Sequence, residues 1–204
     1  MAAAETFVVY DDAQFPRRGR VHRCEVPGPG GDPEWLTLPH ARQPRDVAIR
    51  DLAFSAGARD ALDARLQRYA WLAAGRGSLA ERVRAQLFGP LETPAAFAEA
   101  GLRLVAEALG LPARFVRSSS AGIDTSLRGQ DRVIALVEAF GGRTYVNAPN
   151  GRGLYDPHAF AARGIALRFL EPYSGQFPFL LPVLVEADPA ALRDDVLRTT
   201  TLTG

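Results

Sequence analysis

The chain has 204 residues, of which 47% are hydrophobic and 23% charged, and its net charge is +1 at pH 7. This composition predicts one domain with a sizeable core and argues against nucleic acid or an acidic membrane surface as a partner. The single cysteine, Cys24, excludes an intramolecular disulfide, and residues 1–5 lack the features of a signal peptide; we therefore predict a cytoplasmic protein without a membrane span.

The N-terminal part of the chain predicts short strands separated by turns. Residues 7–10 form a β-prone run that stops at Asp11 and Asp12. Residues 21–26 alternate between apolar and polar side chains, and residues 34–38 follow after a turn rich in glycine and proline. These two segments predict a β-hairpin, and residues 47–49 predict one further strand.

Three amphipathic helices are predicted in the middle of the chain. The first begins after Ser55 and continues as far as Ala73, the last residue of its apolar stripe. A capping box formed by Ser78 and Glu81 starts the second, and Thr93 caps the third. We interpret their apolar stripes as packing surfaces.

Residues 114–156 read as strand, polar loop, helix, strand and polar loop. The helix is predicted from five apolar residues on one face, and Gly141 and Gly142 predict a left-handed C-terminal cap. A helix at residues 157–163, a strand at 165–170, an apolar stretch at 177–185, a helix at 189–198 and a fraying tail follow. The predicted fold is α/β: residues 1–204 form a single three-layer domain with a mostly parallel Rossmann-like sheet, an N-terminal β-hairpin and a helical segment in the middle.

The two polar loops of this unit form the candidate site. The carboxyl ends of adjacent parallel strands face one crevice, where ligands of open α/β sheets bind. Arg117, Ser118 and Ser119 could hold a carboxylate or phosphate, or could simply cap the next helix. The second loop could complete that pocket or form turns; its polar residues are Asn147, Asn150 and Arg152.

Other residue types offer weaker chemistry. Asp11 and Asp12 could bind a cation, act as acid and base, or only cap a turn, while His22 and Cys24 share one face of their predicted strand. That pairing more often reflects packing than a nucleophile. We predict no metal site and no cofactor, because the three histidines are far apart in the sequence, without ligand-like spacing, and no phosphate loop is present.

Several segments, in order, carry a resemblance to a known family: FVVYDDAQFPRRGRVHRCEV, EWLTLP, FVRSSSAGI and QDRVIALVEAFGGRTYVNAPNGRGLYD. The chain resembles the WbqC-like family, which shows an Asp-Asp-x-Gln run, a Trp-Leu-Thr-x-Pro strand and an Arg-Ser-Ser loop. The resemblance places the polar signature of that family on the following residues: Asp11, Asp12, Gln14, Arg23, Arg117, Ser118, Ser119, Arg132, Asn150, Arg152, Tyr155 and Asp156.

The chain also departs from that family. Members begin with a strand and a His-Gln-Pro segment, which the chain lacks, and we therefore expect either an N-terminal truncation or a wrongly assigned start codon. His22, Arg23 and Cys24 stand where the family has Asn-Arg-Asn. Such changes predict a copy that is inactive if the replaced groups are essential.

The resemblance implies a role in bacterial surface-polysaccharide (O-antigen) or secondary-metabolite biosynthesis. The first hypothesis is an enzyme that transfers an acyl or aminoacyl group to an amino sugar or amine, with Asp11, Asp12 and His22 as catalytic residues. The second is a non-catalytic binding or assembly subunit. In either case the partner is a small molecule, an activated acyl donor or an amino sugar.

Overall fold

The computed structural model describes residues 1–204 and divides them into two compact units. Unit 1 comprises Met1–Val9, Ala113–Gly175 and Val196–Gly204, and unit 2 comprises Tyr10–Pro112 and Gln176–Asp195. The protein is a mixed α/β structure whose strands form three small sheets. The strands do not form one continuous, mostly parallel sheet, and the three-layer Rossmann-like arrangement therefore stays a prediction. The organisation of residues 1–204 as a single domain also stays a prediction.

The regular elements alternate along the chain. The strands are β1 (Thr6–Val9), β2 (Arg23–Pro27), β3 (Pro33–Thr37), β4 (Arg114–Arg117), β5 (Thr144–Asn147), β6 (Ala166–Leu170) and β7 (Leu202–Thr203). The α-helices are α1 (Ala58–Leu66), α2 (Ala70–Ala74), α3 (Ser78–Phe88), α4 (Pro94–Ala108), α5 (Gly129–Ala139), α6 (Pro157–Ala161), α7 (Leu180–Glu186) and α8 (Pro189–Thr199). Short 3-10 helices cover Ile49–Asp51, Ser118–Ser120 and Pro149–Leu154.

Unit 1 contains two sheets. β1 pairs in parallel with β4, with Val9 opposite Arg117, while β5 pairs in parallel with β6. The predicted strand-helix-strand segment is present as β4, α5 and β5, but its two strands are not hydrogen-bonded neighbours. The expectation that they are adjacent was wrong, because periodicity locates a strand in the chain but does not identify its partner.

The core of unit 1 forms where α5 packs over β6. Val133 and Ile134 of α5 cluster with Phe160, Leu167 and Phe169, all of them buried. The predicted buried face of α5 is therefore confirmed, and Gly141 ends the helix with a φ of +71°. Because this left-handed conformation is unfavourable for residues with a Cβ, the predicted glycine cap is confirmed as well.

The C-terminal tail was predicted to fray, and this was wrong. Residues Leu202–Thr203 form β7, which pairs antiparallel with β6, so that Phe169 lies opposite Thr203. A two-residue strand leaves almost no trace in side-chain periodicity, because backbone hydrogen bonds hold it in place.

Unit 2 contains the predicted β2–β3 hairpin, which is confirmed by antiparallel pairing between Cys24 and Leu36. Residues 47–49 do not form a strand; Ala48 makes an isolated bridge with Gln14 before the 3-10 helix. The predicted first helix is divided into α1 and α2. The capping box is not formed, because Gly77 is the N-cap of α3 and Ser78 is already helical.

One close approach in unit 2 requires a glycine. A Cβ built on Gly75, just after α2, would overlap the side chain and the carbonyl oxygen of Val185, and the Val185 carbonyl carbon would lie only 3.0 Å away. Gly101 in α4 is the opposite case, because a Cβ there meets nothing within 4 Å. The two glycines therefore provide a matched test of how tightly α7 packs against α2.

We expect Gly75→Ala to lower the free energy of unfolding by about 1–3 kcal/mol, the usual cost of overpacking. Gly101→Ala should raise it by roughly 0.5–1 kcal/mol, because alanine loses less backbone entropy in a helix. Urea denaturation followed by circular dichroism measures both changes. A Gly75→Ala protein as stable as the parent would show that this contact is not tight.

Candidate functional site

The loop after β4 begins at the predicted arginine-serine segment. Arg117 ends β4 and is exposed, and Ser118 starts a 3-10 turn with only 1% of its surface exposed. The Ser120 hydroxyl donates to the Arg117 carbonyl at 2.7 Å, which closes the turn. The turn thus buries one hydroxyl and leaves Arg117 and Ser119 at the surface.

The loop after β5 is ordered by its own polar side chains. The Asn147 Oδ1 atom accepts a hydrogen bond from the Ala148 amide at 2.7 Å, and Asp156 caps α6 by accepting from the His158 amide at 2.9 Å. Asn150 is exposed in the 3-10 helix between them. Two of the predicted ligand-binding residues therefore already have structural partners.

The two loops meet at the N-terminal end of α5. The Gln130 Oε1 atom, in the first turn of α5, accepts a hydrogen bond from the Asp156 amide at 2.6 Å. On the other side, the Arg132 guanidinium donates to the Asp124 carbonyl at 3.4 Å. Gln130 was missed from the sequence, where a glutamine in a first helical turn gives no signal beyond helix propensity.

The first loop is tightened by Asp124. Its carboxylate accepts from the Ser126 amide at 2.8 Å, and this backbone N–H, followed by the Ser126 hydroxyl, lowers the pKa of the Asp124 carboxyl. Arg128 donates to the Thr125 and Leu127 carbonyls. Because its pKa is lowered, the Asp124 carboxyl is ionised at neutral pH. It lies close to the start of α5, where free amide groups and the helix dipole favour a negative charge.

Arg152 and Tyr155 belong to the framework of unit 1. The Arg152 guanidinium forms a salt bridge with Glu171 at 2.6 Å, bonds the Thr203 hydroxyl and lies 5.1 Å from the Phe169 ring. The Tyr155 hydroxyl is 3.4 Å from that of Tyr145. Arg152 thus links the loop after β5 to the C-terminal strand.

Three predicted residues follow β1 and belong to unit 2. Asp11 is buried, with 2% of its surface exposed, and its carbonyl accepts from the Arg50 amide at 2.7 Å. Asp12 is half-buried. The Gln14 side chain donates a hydrogen bond to the Arg45 carbonyl at 2.9 Å, which fixes the orientation of its amide group.

His22 lies in an aromatic cluster. Its ring centroid is 5.0 Å from that of Phe15 and 5.1 Å from that of His40, both edge-on, and only 6% of the residue is exposed. Burial, followed by the charges of His40 and Arg23, lowers the pKa of His22. This environment favours a neutral packing residue over a proton-transfer group that needs access to substrate.

Arg23 and Cys24 are also held by their surroundings. The Arg23 guanidinium donates to the Gly19 and Arg18 carbonyls and lies 4.2 Å from the Trp35 ring. Although Cys24 is an exposed residue, desolvation around its thiol raises the pKa to about 11, Arg20 opposing and Glu25 reinforcing the change. A thiol that stays protonated at neutral pH is a poor nucleophile.

The structure contains no group of three or more His, Cys, Asp or Glu residues placed to hold a metal ion. None of its helices combines the length and the apolar character needed to cross a bilayer.

The sequence model of the WbqC-like protein family matches residues 1–180. The chain belongs to this family. Searches of curated proteins and of solved structures find no match.

The WbqC-like signature positions are divided between the two units. In unit 1, Arg117, Ser118 and Ser119 follow β4, and Asp156 follows β5 at the point where it contacts α5. In unit 2, Asp11 and Asp12 follow β1 along the chain. The grouping of both sets around one ligand stays a prediction.

Gln130→Ala tests whether α5 joins the two loops. Because the Asp156 amide then loses its acceptor, we expect its hydrogen exchange to accelerate roughly fivefold, as about 1 kcal/mol of hydrogen bonding is lost. Gln67→Ala, which removes an exposed glutamine from unit 2, is the matched control. Unchanged exchange at Asp156 would show that the bond does not order the loop.

The reactivity of Cys24 provides a second test. Because its pKa is about 11, the rate of alkylation by iodoacetamide should keep rising with pH up to about pH 11. In the urea-unfolded chain the rate should level off near pH 9, close to the pKa of an unperturbed thiol. A plateau below pH 8 in the folded protein would instead indicate an activated thiolate.

Proposed function

We propose that this WbqC-like protein is an enzyme that transfers an acyl or aminoacyl group from an activated donor to an amino sugar or amine. The reaction would serve bacterial surface-polysaccharide assembly, including O-antigen, or secondary-metabolite assembly. The observation that carries the proposal is the meeting of two polar loops at the N-terminus of α5, where Gln130 binds the Asp156 amide.

The chemistry of transfer assigns roles to these residues. The amine nitrogen of the acceptor attacks the donor carbonyl carbon, the bond to the leaving group breaks, and the amine proton passes to a base. Arg117 and Ser119, which are exposed, would bind an anionic leaving group through guanidinium and hydroxyl donors, while the buried Ser118 would support the turn. The activated donor supplies the driving force, so that the reaction requires no cofactor or metal.

Asp11 and Asp12 are the proposed acid-base pair. They follow β1, whose last residue, Val9, is paired with Arg117 in the parallel register. Asp12 is half-buried, whereas Asp11 is buried, and we therefore assign the proton-accepting role to Asp12. In this proposal residues 1–204 act as one functional domain with a three-layer Rossmann-like core, and His22 contributes only packing.

The proposal is tested by turnover. Purified protein is incubated with acyl thioesters or aminoacyl adenylates as donors and amino-sugar nucleotides as acceptors, and product is detected by mass spectrometry. We expect Asp12→Asn to reduce kcat by about 10²–10⁴-fold, the usual contribution of a general base. Arg117→Ala should mainly raise KM for the donor.

Two matched controls separate these roles from general effects. Asp32→Asn changes an exposed carboxylate in the β2–β3 turn, and Arg42→Ala removes an exposed guanidinium. Neither should alter kcat or KM. Full activity of Asp12→Asn would exclude the proposed base, and the absence of any product with all donor and acceptor classes would argue against transfer.

A non-catalytic binding or assembly subunit is the second candidate. It is favoured by the number of predicted ligand residues that already have structural partners, among them Asn147, Arg152 and Asp156. The raised pKa of Cys24 also leaves the chain without an activated thiol. Calorimetric binding of an amino-sugar nucleotide without turnover would support this alternative.

A further inference from the structure

Unit 2 contains a groove that no residue of the predicted site lines. Its volume is about 290 Å³, and it lies between the end of α1, helix α2 and the outer face of α3. It is lined by the following residues: Leu66, Gln67, Tyr69, Leu72, Ala73, Arg84 and Phe88. Leu66, Tyr69 and Leu72 are buried, whereas Phe88 keeps 38% of its surface exposed, so the groove has an apolar floor that is open to solvent.

Arg84 is the one cationic side chain in this lining. Its Nη1 atom donates to the Leu72 and Gly75 carbonyls, both at 3.1 Å, which fixes the half-buried guanidinium against the C-terminal end of α2. Arg84 forms no salt bridge, and its Nε and Nη2 donors make no bond to the protein. A guanidinium held in this way presents its remaining donors already oriented.

The neighbouring acidic group does not neutralise Arg84. Glu34 accepts a hydrogen bond from the Tyr69 hydroxyl at 2.6 Å and is paired with Arg68 at 3.5 Å. Burial, followed by the hydrogen bond and the charge of Glu34, raises the pKa of Tyr69 to about 12, so the hydroxyl stays protonated at neutral pH. The groove therefore combines an apolar floor, an aromatic rim and a positive charge without a carboxylate partner.

We propose that this groove binds a small monocarboxylate with a flat apolar body, such as an arylacetate. The carboxylate would bond the free donors of Arg84, and the apolar body would lie over Leu66 and Leu72 beside Phe88. The volume is at the lower end of the range for ligand pockets, roughly 300–1,000 Å³, which fits an aryl acid and excludes a whole nucleotide. This inference does not depend on the proposed transfer activity.

The probe is 4-fluorophenylacetate, observed by ¹⁹F NMR as the full-length protein is titrated. We expect concentration-dependent shift and broadening with the parent protein and about tenfold weaker binding with Arg84→Gln, which keeps a donor for the carbonyls but loses the charge. Arg84→Lys, which keeps the charge but not the planar fork, should bind with an affinity between those of the parent and Arg84→Gln. The neutral analogue 4-fluorophenethyl alcohol should bind about as weakly as the acid binds to Arg84→Gln.

The chain offers a matched control in Arg76, which likewise donates to backbone carbonyls of Ala73, Ala74 and Gly75 but does not line the groove. Arg76→Gln should leave probe binding unchanged. Ala73→Phe, at an exposed position of the lining, fills the groove without touching the core and should abolish binding. Melting temperatures establish that each variant is folded.

Three results would overturn the proposal. The first is no response to the probe at millimolar concentration in the parent protein. The second is equal binding of the acid and the alcohol, which would show that the charge is not recognised. The third is equal weakening by Arg84→Gln and Arg76→Gln, which would point to a general electrostatic effect.

Discussion

The packing of α5 over β6 fixes the geometry of unit 1. Val133 and Ile134 can be buried against Leu167 and Phe169 in one helix orientation, and Phe160, which has no exposed surface, fills the space beside them. Burying side chains of this size contributes about 1.5–3 kcal/mol each. With the axis of α5 fixed in this way, its N-terminus reaches both polar loops, and Gln130 can bind the Asp156 amide.

In both units, arginine side chains donate hydrogen bonds to backbone carbonyl groups. Arg59 donates to the Leu87 and Gly89 carbonyls at the end of α3, and Arg168 donates to the carbonyl of Gly204 near β7. A planar guanidinium can satisfy two carbonyls at fixed angles, which a single ammonium group does less well. The sequence contains no lysine, so all 24 of its Lys and Arg positions carry a guanidinium group.

Features that depend on neighbouring residues were predictable from the sequence. The buried face of α5 and its cap at Gly141 follow from helical periodicity and from the tolerance of glycine for positive φ. The β2–β3 hairpin was also predicted, because its strands flank a short turn. In each case the residues that determine the structure are close in the chain; the hairpin as a whole runs only from Arg23 to Thr37.

Features that depend on distant partners were not predictable. The pairing of β4 with β1 rather than β5 is decided by backbone contacts across more than one hundred residues. The two-residue strand β7 exists only because β6 offers an edge, and Arg152 stabilises it through Thr203. The sequence predicted Arg152 as a ligand-binding residue because of its charge and its position in a polar loop. The fold shows that it is paired with Glu171.

Within the candidate site, residues that stabilise the loops can be distinguished from residues that are proposed to bind a ligand. Arg152 and Asp156 belong to the framework of the loop after β5, because Arg152 contacts Glu171 and Thr203 and Asp156 caps α6. Arg117 and Ser119 lie exposed at the end of β4 and in the turn that follows it. In the proposed function, ligand recognition is therefore assigned to the loop after β4, while the loop after β5 supports the N-terminus of α5 through the bond between Gln130 and the Asp156 amide.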